Sequence, residues 1–323
     1  MEKNKTSVSI LGCGRWASGL AWYSAHLGYR VILWGRESSR RREILARNRQ
    51  NEYLKLPVSV SVESSLEKAL SGEIILIAIN SQNLRALSKQ ISRYSFSNKT
   101  FILCMKGLEE ATGKRLSEVF QDEIGRSVGL AVWLGPAHVQ ELIKNIPTCM
   151  VIASEDIQLT RHLVSIFGSE LIRFYYGRDL IGAEVGAAAK NVMGIAAGML
   201  DGLGISSLKG ALMARGPREI SRLVKAMGGD EMTVYGLTHI GDYAATLFSS
   251  YSHNRRFGEA FVRHENFDKL AEGVTTTRAL IRLSKRYDVE LPICEGVYKI
   301  VEERQAPDEV LEKLFLRPTK YEF

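Results

Sequence analysis

The stretch that decides the fold is Gly12-Cys13-Gly14-Arg15-Trp16-Ala17, which lies between a short apolar run at 8–11 and a predicted helix at 15–27. In a strand–turn–helix of this kind, the first glycine permits a tight turn and the second lets backbone amides approach a pyrophosphate. Small Ala17 lets the helix pack closely on the strand. We therefore predict a dinucleotide-binding turn, with an ordinary strand–helix connection as the alternative.

The residues that follow complete a strand–helix–strand unit. The helix ends at Gly28, and the apolar run from Val31 to Trp34 predicts a second strand. A unit of about 30 residues is what a dinucleotide-binding motif requires. The context therefore favours nucleotide binding over a chance match.

Positive charge follows the second strand. Gly35-Arg36 is succeeded by Arg40, Arg41 and Arg42, whereas an NAD-specific site usually has Asp or Glu here for the ribose 2′-hydroxyl. A guanidinium matches the geometry of a phosphate, so the sequence favours NADP. Glu37 leaves NAD open, and the arginine cluster has a second interpretation as a solvated helix face.

Length and composition indicate a globular protein of two domains. The chain has 323 residues, of which 45% are hydrophobic and 24% charged, and its net charge is +7. Basic residues do not alternate with aromatic residues along a stripe, so we expect no nucleic-acid partner. Anionic ligands explain the positive charge better.

The cysteines and the N-terminus predict a cytoplasmic protein. Cys13, Cys104, Cys149 and Cys294 lie far apart without metal-ligand spacing, so we expect reduced thiols and no metal site. Residues 1–6 are polar and leave no room for a signal peptide before the first strand. Apolar stretches of about 18 residues all contain a charge, so no membrane span is expected.

Strand-like runs alternate with helical segments as far as residue 177. This alternation predicts a mostly parallel α/β sheet covered by helices on both faces, with ligands outside the carboxyl ends of the strands. The predicted strands after the first unit are 58–62, 74–79, 100–104, 130–134, 148–153 and 171–175.

From residue 178 the periodicity is helical. We predict a Rossmann-type dinucleotide-binding domain at 1–177, an all-helical substrate-binding domain at 178–323, and a substrate cleft between them. The predicted helices are 179–202, 208–227, 255–264, 273–287, 291–304 and 308–315.

Lys190 stands in unusual surroundings. The run from Gly182 to Leu200 is rich in glycine and alanine, and its only charges are Glu184 and Lys190. A solvated lysine normally has polar neighbours on its helix face, so a buried ammonium that meets a ligand is favoured over one that extends to water. An ammonium beside a carbonyl that receives hydride stabilises the oxyanion and delivers the proton. We predict that Lys190 is the general acid for reduction and the base for oxidation.

Two further segments are candidates for the site. Lys106 follows the fifth strand at its carboxyl end, although solvation explains a loop lysine equally well. Gly241-Asp242 and the run 252–258 bracket an aromatic stretch. Asn254 is a predicted cap for a helix that begins at Arg255, so free amides and two arginines would face an anion. The alternative is a capped surface helix with a basic first turn.

Taken together, these segments resemble the NAD(P)-dependent glycerol-3-phosphate dehydrogenases over nearly the whole chain, from Gly12 to Pro292. No single motif is specific, but the series in this order is. The matching pieces are GCGRWA (12–17), ILWGR (32–36), KG (106–107), GP (135–136) with Glu141 and Pro147-Thr148, AAAKNVMGIAAGMLDGLG (187–204), GALMARG (210–216), IGD (240–242), SHNRRFG (252–258) and EGV (272–274).

The resemblance implies interconversion of dihydroxyacetone phosphate and sn-glycerol 3-phosphate. It gives Lys190 the proton-transfer role, makes Lys106 and Asp242 its catalytic companions, and places Arg36 at the adenosine 2′ position. The implied substrate-binding residues are Lys106, Gly135, Ala137, Lys190, Asp242, Ser252, His253, Asn254 and Arg255. The implied cofactor-binding residues are Gly12, Gly14, Arg15, Trp16, Ala17, Arg36, Lys106, Val139, His253 and Glu272.

Three positions depart from the family pattern. His253 replaces the arginine of a Ser-Arg-Asn phosphate motif, Ala137 replaces a serine or threonine, and the fourth strand ends in Ile79-Asn80-Ser81 instead of Val-Pro-Ser. Histidine in place of an always-charged bidentate group weakens phosphate binding by about 1.5 to 3 kcal/mol, unless Arg255 or Arg256 compensates.

The leading hypothesis is a cytoplasmic dehydrogenase that uses NADPH, or NADH, to reduce dihydroxyacetone phosphate and supplies glycerophospholipid synthesis. One alternative is a paralogue that acts on a different small phosphorylated ketone or hydroxy compound. Another is a cofactor-binding regulatory protein without turnover, against which Lys190, Asp242 and Asn254 argue. By analogy with related folds, the apolar helices of the second domain predict a homodimer.

Overall fold

The computed structural model describes residues 6–96, 98–248, 252–319 and 321. The chain divides into two compact units, one formed by residues 1–106 with 115–180 and the other by residues 107–114 with 181–323. The short segment that follows Lys106 thus belongs to the second unit. The domain boundary placed after residue 177 stays a prediction.

Within the described residues, eight strands of the first unit form one sheet in the order β3-β2-β1-β4-β5-β6-β7-β8. All neighbouring strands are parallel except β6 and β7, which are antiparallel. The predicted mostly parallel α/β sheet is confirmed. The strands are β1 (Ser7–Leu11), β2 (Arg30–Trp34), β3 (Val60–Glu63), β4 (Ile74–Ile77), β5 (Thr100–Leu103), β6 (Gly129–Leu134), β7 (Thr148–Ala153) and β8 (Ile172–Gly177).

The central strands are continuous apolar runs because they are covered on both faces. All four residues of β4 are buried, which is the pattern of a parallel strand between two helical layers. The helices of this unit are α1 (Arg15–His26), α2 (Arg40–Asn48), α3 (Leu66–Ala69), α4 (Leu84–Ile91), α5 (Leu116–Ile124), α6 (Val139–Leu142) and α7 (Ile157–Phe167).

Two predicted strands extend two residues beyond an observed end. β3 begins at Val60 and not at residue 58, because the amide of Val60 closes a turn onto the carbonyl of Pro57 and Val58 is 99% exposed. β4 ends at Ile77, because Asn80 caps a short 3₁₀ helix by accepting a hydrogen bond from the amide of Gln82 at 2.9 Å.

Among the described residues from 181 onward, the regular elements of the second unit are all helical, as the sequence predicts. Its helices are α8 (Leu180–Gly202), α9 (Lys209–Ala226), α10 (Asp242–Phe248), α11 (His253–Val262), α12 (Glu272–Tyr287), α13 (Pro292–Val301) and α14 (Pro307–Phe315). The pattern of apolar residues did not predict α10 or the π-helical turn that precedes it at Leu237–Gly241.

Helix α8 forms the centre of the second unit. By length and hydropathy it is the one described helix that could cross a membrane, but 89% of its apolar window is buried inside the protein. Burial on all sides is typical of a core helix in a large domain.

Glycines let α8 and α11 pack backbone against backbone. A Cβ at Gly198 would collide with the carbonyl oxygen of Arg255, and one at Gly202 would lie 2.9 Å from the carbonyl oxygen of Glu259. On α11, a Cβ at Gly258 would collide with the carbonyl oxygen of Ile195. This contact explains the Gly/Ala-rich sequence of α8 and fixes the position of α11.

The predicted start of α11 is wrong. The helix begins at His253, and Ser252 is its N-cap, with the hydroxyl oxygen accepting a hydrogen bond from the amide of Arg255 at 3.3 Å. Asn254 lies inside the first turn, where its side chain is buried. The predicted end of α11, at residue 264, is also too late, because the helix ends at Val262.

We expect Gly198→Ala to lower the free energy of unfolding by about 1 to 3 kcal/mol, because the added methyl group would force the two helix backbones apart. The matched control is Gly210→Ala on α9, where a Cβ would have no neighbour within 4 Å. That variant should be more stable by about 0.5 to 1 kcal/mol. Urea unfolding measures both, and equal stability of the two variants would contradict the proposed close contact.

Candidate functional site

The two glycines of the first turn have different functions. Gly12 has a φ of +133°, and a Cβ there would collide with the carbonyl oxygen of Ala78; the chain itself requires glycine. Gly14 is the N-cap of α1, and a Cβ there would meet only the guanidinium of Arg41, at 3.9 Å. Open space therefore lies in front of the first amides of α1, which lack acceptors within the helix.

This arrangement fits a dinucleotide pyrophosphate. Free amides at a helix N-terminus and the positive end of the helix dipole both favour an anion. The first turn of α1 contains no acidic residue that would compete. Arg15 lies over the ring of Tyr53 at 5.7 Å, and Trp16 is half-buried against the apolar core of the unit.

The arginines that follow β2 separate into two groups. The aliphatic part of Arg42 packs over Gly35, and its guanidinium donates to the carbonyl oxygen of Glu37 at 3.3 Å. Arg41 extends toward the glycine turn, and Arg36 is exposed at the end of the strand. Arg41 is therefore near the glycine turn, and Arg36 is open to solvent directly after β2.

Cys13 lies inside the turn and is buried. Its sulfur would be 2.6 Å from a Cβ at Gly35. Position 35, at the end of β2, therefore also requires glycine. Burial raises the pKa of the Cys13 thiol to about 12, against a smaller opposing effect of Arg42. The thiol is therefore neutral and adds no negative charge where a pyrophosphate would bind.

Val139 belongs to the core of the first unit. It is 2% exposed, and a Cβ at Gly19 on α1 would lie 2.6 Å from its side chain. Its side chain therefore holds α6 against α1. A nucleotide could therefore contact Val139 only through its backbone.

Lys106 and Gly135 lie at the ends of neighbouring strands, β5 and β6. The Lys106 ammonium donates to the carbonyl oxygen of Gly135 at 3.0 Å. Gly135 has a φ of +128°, and a Cβ there would lie 3.1 Å from the Cα of Met150. Ala137 packs half-buried against the core nearby. The structure thus brings together three of the predicted substrate residues.

The second unit contains a buried ammonium–carboxylate pair. Lys190 on α8 donates to Oδ1 of Asp242 at 3.0 Å and to Oγ1 of Thr246 at 3.0 Å. The two charged residues are only 8% and 4% exposed. The Thr246 hydroxyl in turn donates to the carbonyl oxygen of Asp242 at 2.8 Å. The ammonium is therefore directed by two oxygens and does not extend to bulk water.

A π-helical turn presents Asp242 to α8. His239 in this turn is fully buried, and its Nδ1 lies 2.7 Å from the carbonyl oxygen of Gly186, one helical turn before Lys190. A Cβ at Gly186 would lie 3.0 Å from the Cβ of His239, so glycine permits the close approach. The ring stacks on Tyr243 with centroids 5.6 Å apart. His239 therefore connects the segment that carries Asp242 to the helix that carries Lys190.

His239 is neutral in the folded protein. Burial lowers its pKa from 6.5 to about 4, although the hydrogen bond to Gly186 and the charge of Asp242 oppose the change. With Nδ1 donating to the Gly186 carbonyl, Nε2 is the unprotonated nitrogen, and it has no hydrogen-bond partner among the described residues. No extra positive charge competes with Lys190 for Asp242.

Asn254 is held by both neighbouring helices. Its side-chain amide donates to Oδ1 of Asn191 at 3.0 Å, and its side-chain oxygen accepts from the amide of Gly273 at 2.9 Å. Asn191 follows Lys190 directly, so the first turn of α11 is locked to the lysine-bearing turn of α8. The neighbouring Glu272 begins α12, and its carbonyl oxygen accepts from the hydroxyls of Thr275 and Thr276.

Arg255 is occupied by carboxylates. Its guanidinium binds Asp201 at 2.6 Å and Glu259 at 3.3 Å, and Asp201 also binds Lys209 at 2.6 Å. Burial favours a higher pKa for Asp201, but hydrogen bonds from Lys209, Ser206 and Arg255 together hold it below the usual value. Arg255 is therefore a weaker candidate for phosphate than its position in the sequence indicates.

The other two basic residues of this turn lie beside Phe267. The ring centroids of His253 and Phe267 are 6.4 Å apart, and the guanidinium of Arg256 lies over the same phenyl ring at 5.9 Å. Arg256 is exposed. It is thus more open to solvent than Arg255.

Sequence reasoning missed three residues of the second unit. Thr246 stands four residues after Asp242, a helical spacing that would have placed both on one face. Asn191 follows Lys190 on α8 and, like Lys190, is buried in the core of the second unit. His239 gave no signal, because its role depends on the π-helical turn, a feature often found at functional sites.

The fold and these residues define a class: an oxidoreductase with a Rossmann-type nucleotide unit and a helical unit that carries a buried lysine. Family models for the N-terminus and the C-terminus of NAD-dependent glycerol-3-phosphate dehydrogenase match residues 7–160 and 179–312. The chain belongs to the NAD(P)-dependent glycerol-3-phosphate dehydrogenase family.

Relatives in this family match the whole length of the chain. The glycerol-3-phosphate dehydrogenase (NAD(P)+) of Thermoanaerobacter sp. (strain X514) is 33% identical over 98% of both chains. That of Clostridium botulinum (strain Alaska E43 / Type E3) is 35% identical over 98% of this chain and 99% of its own. The crystal structure of glycerol-3-phosphate dehydrogenase from Coxiella burnetii is 30% identical, with a TM-score of 0.89 over 97% of this chain and 99% of its own.

The buried imidazole makes stability depend on pH. The folded pKa of His239, about 4, is below the unfolded value of 6.5, so its contribution is complete above pH 6.5 and is lost as the pH falls toward 4. Between pH 7 and pH 5, the free energy of unfolding of the wild type should fall by about 2 kcal/mol more than that of His239→Asn. In that variant, the Asn side-chain amide can still donate to Gly186.

Urea unfolding at both pH values measures the difference. His162→Asn, at an exposed position of α7, is the control and should leave the pH profile of the wild type unchanged. An identical profile for His239→Asn and wild type would contradict the burial of a neutral imidazole.

Proposed function

We propose that this chain interconverts dihydroxyacetone phosphate and sn-glycerol 3-phosphate with NADPH or NADH, and that Lys190 transfers the proton. The observation that carries the proposal is the buried Lys190–Asp242 pair, with its hydrogen bond of 3.0 Å. Burying a charged pair in a helical core costs desolvation free energy, and buried ionisable groups of this kind cluster at functional sites. Family membership and the open glycine turn support the same conclusion.

When bound, NAD(P)H supplies the hydride that attacks the carbonyl carbon. The protein must then stabilise negative charge on the carbonyl oxygen and deliver a proton to it. In this proposal the Lys190 ammonium does both. Asp242 and Thr246 fix the direction of the ammonium, and the Asp242 carboxylate binds the hydroxyl end of the substrate. In the oxidation direction, neutral Lys190 takes the proton from the alcohol.

The phosphate of the substrate is assigned to the first turn of α11. Ser252, His253 and Asn254 supply a hydroxyl, an imidazole and backbone amides at a helix N-terminus, which favours an anion. Arg256 supplies the charge that the family's arginine would otherwise provide. Lys106, Gly135 and Ala137 are proposed to contact the substrate as well, and Arg255 remains a candidate although two carboxylates hold it.

The preferred cofactor is proposed to be NADPH. Arg36 and Arg41 are the cations nearest the end of β2 and the glycine turn, and a guanidinium binds a 2′-phosphate better than a neutral hydroxyl. Gly12, Gly14, Arg15, Trp16 and Ala17 form the turn that would hold the pyrophosphate. Val139, His253 and Glu272 are proposed to complete the cofactor site.

The proposal extends to the role of the protein in the cell. We propose a cytoplasmic homodimer whose product supplies glycerophospholipid synthesis. The described cysteines are all free thiols, which supports a reducing compartment. The apolar helices of the second unit support self-association by analogy with related folds.

We expect Lys190→Ala to lower kcat by about 10²- to 10⁴-fold, because the general acid is removed. Lys190→Arg should be almost as slow, since a guanidinium keeps the charge but does not release its proton. Both variants should bind NADPH like wild type. NADPH oxidation with dihydroxyacetone phosphate measures turnover, and Lys225→Ala, an exposed lysine on α9, is the control.

Substrate comparison separates the alternatives. Wild type should have a far higher kcat/KM with dihydroxyacetone phosphate than with dihydroxyacetone, because the phosphate contacts are lost. A higher kcat/KM with another phosphorylated ketone would favour the paralogue, and absence of turnover with retained NADPH binding would favour the regulatory protein. Full activity of Lys190→Ala would refute the proposed mechanism.

For the cofactor, we expect Arg36→Asp to lower kcat/KM for NADPH by about 10- to 100-fold and to leave that for NADH unchanged or higher. The loss corresponds to one or two charge-assisted hydrogen bonds to the 2′-phosphate. Arg47→Asp, near the end of α2, is the matched control. Equal losses with both cofactors would show that Arg36 does not read the 2′ position.

A further inference from the structure

A groove open to solvent lies within the second unit, away from the residues assigned above. It has a volume of about 580 Å³, which is within the range of small-molecule pockets. The C-terminal half of α8, one face of α9, and helices α13 and α14 form it. Its floor is apolar and buried, and includes Met199, Leu200, Leu212, Val297 and Ile300.

A row of arginines borders this apolar floor. Arg215, Arg218 and Arg222 stand three and four residues apart on α9, so they share one helix face, and Arg317 adds a fourth guanidinium. The lining also contains two carboxylates, Glu219 and Glu290. Arginines therefore outnumber acidic side chains in the groove by two.

Both carboxylates have partners within the protein. Glu219 accepts the amides of Ile293 and Cys294 at 2.8 and 3.0 Å, at the start of α13. Glu290 binds Arg317 at 2.7 Å. The electrostatic surplus of the groove is therefore positive.

Large apolar side chains are exposed at the edge of the groove. Leu203 is 38% exposed and Phe315 is 66% exposed, and both belong to the lining. Apolar surface of this kind, bordered by charge, is typical of binding sites. The groove thus combines a trough for hydrocarbon with guanidinium groups that suit phosphate or carboxylate.

The geometry points to a binding site for an anionic amphiphile, a single long alkyl chain with a phosphate or carboxylate head group. The alkyl chain lies along the floor between α8 and α13, and the head group binds the arginines of α9. A small hydrophilic anion would leave the apolar floor exposed to water. A cationic amphiphile would meet like charge.

A second copy of the chain is a poorer occupant. In a two-fold symmetric contact the same patch is buried on both copies, so two surfaces with the same excess of arginines would be brought together. Like charges at close range disfavour such a contact. A homodimer built on another face of the unit leaves the groove available.

The site is separate from the catalytic lysine. Met199 is nine residues beyond Lys190 on the same helix, which corresponds to about 14 Å along the helix axis. The lining includes none of the residues proposed above for substrate or cofactor. Binding at the groove can therefore be measured whether or not the chain reduces dihydroxyacetone phosphate.

The test is isothermal titration of the full chain with dodecyl phosphate and with dodecanoate, below their micelle concentrations. We expect saturable binding of one molecule per chain that inorganic phosphate does not displace, and no binding of dodecyltrimethylammonium. Ala211→Trp, at an exposed lining position of α9, should weaken binding at least 10-fold by filling the groove. Ala214→Trp, exposed on the same helix but outside the lining, is the matched control and should bind like wild type.

Head-group recognition is tested separately. Arg218→Gln combined with Arg222→Gln should weaken dodecyl phosphate binding at least 10-fold, whereas Lys225→Gln should not. Equal binding by both tryptophan variants, or binding of dodecyltrimethylammonium as tight as that of dodecyl phosphate, would overturn the proposal. So would a dimer that Ala211→Trp dissociates in sedimentation and Ala214→Trp does not, because the groove would then be a subunit interface.

Discussion

A charged ammonium inside a helical core must be compensated, and this requirement organises the second unit. Lys190 is surrounded by alanine and glycine, and water is nearly excluded from it. The desolvation cost of such a group is several kcal/mol unless a carboxylate and hydrogen-bond acceptors stand beside it. Asp242 and Thr246 on α10 meet this requirement. The π-helical turn directly before Asp242 lies where α10 approaches α8.

Glycine makes the approach of these segments possible. Gly186 admits His239, Gly194 admits Thr246, and Gly198 admits the backbone of α11. All three lie on α8: Gly186 is about one turn before Lys190, and Gly194 and Gly198 are about one and two turns after it. The same helix that carries the charge therefore also carries the gaps into which its partners fit. Gly14 in the first unit differs from these glycines, because no protein atom packs closely against it. The space beside it stays open to a ligand.

Much of the architecture follows from local patterns. Apolar runs such as the one at β4 predicted strands because both faces of a parallel sheet are buried. Lys190 was recognisable because a lone charge in a Gly/Ala-rich helix conflicts with solvation. The antiparallel direction of β7 was not predictable, since strand direction depends on the path of the chain and not on the strand's own residues.

The features that sequence reasoning missed depend on tertiary contacts. Ser252 and Asn254 are both good capping residues, and packing decided between them, because Asn191 and Gly273 occupy the Asn254 side chain. Thr246 was overlooked because the helix that contains it is short. Residues 107–114 join the second unit although they lie between β5 and α5 in the sequence, and no local pattern indicates this.

Glu219, which holds the first amides of α13, has a consequence for the proton balance of folding. Burial raises its pKa from 4.5 to about 7, so its stabilising contribution is complete below pH 4.5 and is lost as the pH rises toward 7. The contribution of His239 changes in the opposite sense, being lost as the pH falls from 6.5 toward 4. Between these limits folding takes up a proton at the carboxyl group while it releases one from the imidazole. The two linkages oppose each other, so the stability lost at His239 on acidification is partly offset at Glu219.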